Sequence, residues 1–137
     1  MTIKNDIILW DDGANCLCLL SIPSEQQYKY IDGLPCITFG VSYENATFKG
    51  YDTFTLFDPF YNNILNELKS TYDSLNGTIR ICDIGADTDG NIEFVVKNGV
   101  AFVKGQLGAS FSSYSLKFEF QADQTLIGRL MQAIELR

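Results

Sequence analysis

Histidine is absent from the 137-residue sequence, and with it go the Ser-His-Asp and Cys-His arrangements and every histidine-held metal. Cations are scarce too: 10 Lys and Arg face 17 Asp and Glu, a formal net charge of −7. Nucleic acids and anionic membranes are bound through Lys and Arg that displace counterions, so neither is an expected partner. An acidic surface favours a basic partner and speeds that encounter by long-range steering. No apolar run approaches the roughly 18 residues that span a bilayer. The opening MTIKNDIILWDDG has neither the apolar core nor the small-residue cleavage site of a secretory signal. These lacks predict a cytoplasmic protein, in which Cys16, Cys18, Cys36 and Cys82 stay reduced and the sequons at Asn45 and Asn76 carry no sugar. Pro/Gly-rich linkers and internal repeats are missing as well, so residues 1–137 are expected to form a single domain.

What is present is apolar and strand-like. The hydrophobic fraction of 46% and aromatic fraction of 13% are those of a folded globule rather than a disordered chain. DIILWD and NCLCLLSI flank Asp12-Gly13 as a hairpin. Residues 23–35 are polar and turn-rich and are expected to form a loop. Short strands are expected over 36–43, 47–50 and 52–57, rich in Thr, Phe, Val and Tyr. Further strands are expected over 78–84, 91–97, 100–107 and 113–121, with Asn98-Gly99 turning the middle pair. In the last of these Tyr114, Leu116, Phe118 and Phe120 share one face, and Ser115, Lys117, Glu119 and Gln121 the other. One wet and one dry face imply an antiparallel sheet covered on one side.

Two helices interrupt this pattern. Asp58 is expected to cap the first, with Pro59 in its first position. Tyr61, Ile64, Leu65, Leu68, Tyr72 and Leu75 then form an apolar stripe up to a left-handed stop at Asn76-Gly77. After LKFEFQADQT the apolar residues Leu126, Ile127, Leu130, Met131 and Ile134 recur at helical spacing. Arg129 and Arg137 lie towards the carboxyl end, where the helix dipole favours cations. Asp123 is therefore expected to be an N-cap rather than a catalytic carboxylate.

Several motifs suggest chemistry and fall short of it. In DTDGNIEF, Asp87, Asp89 and Gly90 sit like positions three, five and six of a calcium loop. Gly85 and Val96 then occupy the first and last ligand positions, which leaves a polar turn between strands. Cys16-x-Cys18 puts two thiols on one strand face, but the spacing is not that of a zinc knuckle, and core packing is the expected role. Carboxylate pairs at Asp11-Asp12, or among Asp83, Asp87, Asp89 and Glu93, fall in surface turns without the burial that tunes a catalytic pKa. GQLGAS lacks the lysine and following helix of a phosphate loop. No cofactor, no metal and no catalytic residue is expected, and the protein is not expected to be an enzyme.

The order helix, strands, F-x-F strand, D-Q-T element and short leucine-rich helix resembles the WapI-type immunity proteins of bacterial polymorphic-toxin (contact-dependent inhibition) systems. The residues that carry it are Phe118, Glu119, Phe120, Asp123, Gln124, Thr125, Leu126 and Leu130. Upstream, a striped helix ends at LNGTIRI, and a strand pair precedes VKGQLGAS; together these cover residues 37–137. The resemblance implies a small cytoplasmic protein that neutralises a cognate toxin domain by tight, stoichiometric binding, with no catalytic residues. The charge of the chain suits a basic toxin domain.

The expected fold is α+β: a mainly antiparallel sheet of about seven or eight strands, with helices over about 59–75 and 124–136 packed on its dry face. The expected partner-binding residues are exposed acids near strand ends, Asp83, Asp87, Asp89 and Glu93, and Glu119 on the wet face. The alternative is a non-enzymatic cytoplasmic module that holds a small ligand or another protein on its sheet; the tyrosines Tyr28, Tyr30, Tyr43, Tyr51 and Tyr61 suit either role.

Overall fold

The computed structural model describes residues 6–22, 28–84, 89–108 and 115–135. In chain order its elements are β1 (Ile7–Asp11), β2 (Asn15–Leu20), β3 (Tyr28–Ile31), β4 (Leu34–Asn45), β5 (Lys49–Phe57), α1 (Asp58–Ser74), β6 (Gly77–Cys82), β7 (Asn91–Lys97), β8 (Val100–Gly108), β9 (Ser115–Asp123) and α2 (Gln124–Glu135). The architecture is α+β and every strand pairing is antiparallel. The strands divide into two sheets where α1 interrupts pairing between β5 and β6. No helix among the described residues is long and apolar enough to cross a membrane.

The first sheet is organised by β4. On one edge its two halves pair with β2 and β3 in turn, and along the other edge it pairs with β5. The strand β3 and the start of β4 lie inside the stretch expected to be a loop. Asp32 and Gly33 (φ 51° and 78°) form a hairpin turn there, the same geometry that Asn98 and Gly99 (φ 51° and 80°) give the β7–β8 hairpin. Of that stretch, residues 23–27 are outside the described residues. The second sheet is a simple meander, β6-β7-β8-β9.

The helix boundaries correct two local expectations. Phe57, not Asp58, holds the cap position of α1 (φ −66°, ψ 135°), because β5 stays extended up to its last residue; Asp58 is the first helical residue. At the other end Leu75 takes the left-handed conformation (φ 60°), its amide donating to the Thr71 carbonyl at 2.8 Å. Gly77 has a different role, close approach: a Cβ there would lie 2.3 Å from Thr71 Oγ1. Ahead of α2, the Asp123 carboxylate accepts the Thr125 amide at 2.8 Å, the N-cap contact to the second helical residue. Arg137 lies outside the described residues.

Both sheets turn a dry face to the two helices, and one continuous core results. Leu17, Leu19, Phe39, Val41 and Phe54 come from the first sheet, and Ile79, Ile92, Phe94, Val103 and Phe120 from the second. Ile64 and Leu68 of α1 join Leu126, Ile127, Leu130 and Ile134 of α2. Tyr43 of β4 stacks on Phe118 of β9, ring centroids 4.3 Å apart and 5° from parallel, and its hydroxyl donates to the Asn15 side chain. Tyr43 is thus a core residue and not part of a ligand surface. The core also departs from expectation at the cysteines. Cys36 is buried, whereas Cys16 and Cys18 are half-buried on the outer face of the first sheet and Cys82 is exposed.

Candidate functional site

The strand period of two assigns every second side chain of β6–β9 to the outer face. Across the four strands, register aligns Arg80 with Glu93, Glu93 with Lys104, and Lys104 with Glu119. The result is one row of alternating charge from edge to edge. Arg80 Nη2 lies 2.6 Å from Glu93 Oε2, and the carboxylate keeps the guanidinium firmly protonated, by hydrogen bond first and charge second. The next row reads Thr78, Val95, Phe102, Gln121. Phe102 is 44% exposed, in a strand whose inward residues Ala101 and Val103 are sealed in the core. An open concavity of about 560 Å³ lies over this part of the face, lined by Glu93, Val95, Phe102, Lys104, Glu119 and Gln121 among others.

The acids expected to meet a partner separate into different environments. Glu93 and Glu119 share the outer row, with Lys104 between them. Asp83 points elsewhere: its Oδ1 accepts the Thr55 amide of β5 at 3.0 Å, while the Ile84 amide donates to the Thr55 carbonyl at 3.1 Å. Asp83 therefore stitches the end of β6 to the first sheet. Asp52 does the reverse, accepting the Gly108 amide at 2.8 Å. Asp89 is exposed beside β7, its carbonyl accepting from the Asn91 side chain at 2.9 Å. Asp87, with the rest of residues 85–88 at the start of the calcium-like loop, lies outside the described residues.

The Asp11-Asp12 pair is committed to its own turn. Asp12 Oδ1 accepts the Ala14 and Asn15 amides at 2.8 and 2.7 Å, and Oδ2 accepts the Trp10 indole at 3.0 Å. These bonds, the indole first, hold the Asp12 carboxyl below its ordinary value. Among the described residues no three metal-ligating side chains gather at one place.

Sequence reasoning passed over Phe102, Arg80 and Lys104. The signal for Phe102 is its phase: in VAFVKGQ it occupies the same alternate set as Lys104 and Gln106, so an aromatic sits in line with polar residues. The outer face has the composition of a binding patch, an aromatic anchor with a charged and polar surround. Searches against protein-family models, curated proteins and solved structures gave no match to the chain.

Proposed function

We propose that the protein is an immunity protein of the WapI type, acting in the cytoplasm by stoichiometric binding of a cognate toxin domain through the outer face of β6–β9. The observation that carries a binding role is the exposed Phe102 at the middle of that face, flanked by the Arg80-Glu93-Lys104-Glu119 row. A broad, shallow surface with an aromatic centre suits a protein partner, which brings its own matching surface; a small ligand requires most of its area to be enclosed. The resemblance at Phe118–Leu130 supplies the immunity reading. There β9 turns through the Asp123 cap into a helix whose Leu126 and Leu130 seal the core. The net charge of −7 favours a basic toxin domain.

The test is to look for a toxin-like domain encoded beside this chain, co-express the two and isolate the complex. Protection of the host and a 1:1 complex support the reading. Phe102→Asp should weaken that complex at least tenfold while circular dichroism and melting stay unchanged. A toxin that kills at full strength beside a folded, abundant partner would overturn immunity. An intact complex with Phe102→Asp would leave immunity standing and move the interface elsewhere.

A further inference from the structure

Cys16 and Cys18 are two residues apart on β2, so both side chains leave the outer face of the first sheet. Their sulfurs stand 3.7 Å apart, and both residues are half-buried rather than sealed. Register sets Asp11 of β1 on one side of Cys16 and Glu44 of β4 on the other. Lys49 reaches Glu44 at 3.8 Å with both side chains mostly exposed, a pairing too weak and too remote to neutralise the row. Burial first, then the neighbouring thiol and the two carboxylates, push the Cys16 thiol up to about 11. A cation held between the sulfurs would offset one of the two thiolate charges that the carboxylates oppose.

We propose that Cys16 and Cys18 form a two-sulfur site for a soft, thiophilic metal ion of the Cu(I) class, flanked by Asp11 and Glu44. Thiolates select soft ions, and such an ion is satisfied by two of them, whereas structural zinc takes four ligands. A disulfide is the competing fate and fits poorly. Strand residues two apart are separated by about 6.7 Å at Cα, at the far end of the roughly 4.4–6.8 Å that a disulfide spans. An interposed metal removes that mismatch. Taking the roughly 2.3 Å of a zinc–thiolate bond as an upper guide, a linear two-coordinate ion wants its sulfurs no more than about 4.6 Å apart. Rotation of two half-exposed side chains reaches that from 3.7 Å. On binding, each thiol releases one proton to solvent and donates one electron pair to the ion. The resulting Cu(I) dithiolate carries a single negative charge, and no electron is transferred.

The experiment titrates Cu(I), without oxygen, into the Cys82→Ser protein in competition with a chromophoric Cu(I) chelator. That background removes the exposed single thiol. One equivalent should be withdrawn from the chelator, and adding Cys16→Ser or Cys18→Ser should each weaken retention at least a hundredfold. Equal retention in either variant, or loss only when both thiols are gone, would overturn the site. A second measurement uses the unsubstituted chain and so does not depend on the variants folding. One equivalent of Cu(I) should protect Cys16 and Cys18 together from iodoacetamide, read by peptide mass, while Cys82 still reacts. Protection of one of the pair, or of Cys82 instead, would also overturn it.

Discussion

The seam between the two sheets and the open face of the second sheet both collect carboxylates, and they use them oppositely. At the seam, Asp52 and Asp83 each reach across to a backbone amide of the other sheet, Gly108 and Thr55. A carboxylate accepting a main-chain N–H in a partly buried place is a charge-assisted bond, about 1.5–3 kcal/mol, and its loss strands a donor. On the open face, Glu93 and Glu119 stand opposite cationic residues across the strands. Exposed pairs of that kind contribute about 0–1 kcal/mol. The difference teaches that what an acid does here follows from the group opposite it and the water around it, which its neighbours in sequence do not reveal.

The comparison can be sharpened most strongly within β9, where inward and outward side chains alternate. Phe118→Ala removes the ring stacked on Tyr43 and lying over Gly105, where a Cβ would sit 2.4 Å from the ring. The expected loss is about 3–5 kcal/mol in denaturant unfolding, the range for a buried Phe. At the seam, Asp83→Ala should cost about 1.5–3 kcal/mol, and Asp83→Asn should recover part of that through its remaining oxygen. If Asp83→Ala unfolds at the same denaturant concentration as the parent and yet weakens toxin binding, Asp83 belongs with the open face after all. Asp123→Ala should cost about 1 kcal/mol, the usual loss of an N-cap, with binding intact after correction for stability.

The smallest effect on stability should come from neutralising the open face. Glu93→Gln with Glu119→Gln should change unfolding by no more than about 0.5 kcal/mol. Its consequence should be kinetic: slower association with a basic partner at low salt, the difference shrinking as salt rises. An association rate that ignores both the substitutions and the salt would separate this face from electrostatic steering.

Much of the backbone was legible in the sequence because its signals are local. Asn98-Gly99 turned where its dihedral preferences require, the alternation of β9 held through Ala122, and both helices came out within a residue or two. The hairpin at Asp32-Gly33 was legible in principle, since it is the same kind of turn, but the polar residues before it masked the strand. Leu75 took the left-handed position that Gly77 seemed to offer, because Gly77 was needed where β6 passes against Thr71. The candidate site was less legible. Glu93 and Glu119 are 26 residues apart in the chain, and only register sets them around Lys104. Asp83 and Thr55 meet because one sheet ends against the edge of the other, a long-range fact with no local signature.

The pairing order of the strands has a consequence for how the chain finds this structure. Of the seven strand pairings among the described residues, six join strands adjacent in sequence, and β2 with β4 is the exception, with the β3 hairpin thrown out between them. Short loop closures are cheap in entropy, so hairpins such as β4–β5 and β7–β8 should form early and each sheet should assemble largely by itself. The late and costly event is then docking of the two preformed sheets across α1. Substitutions at the seam should accordingly speed unfolding far more than they slow refolding, whereas changes at the Asn98-Gly99 turn should do the opposite.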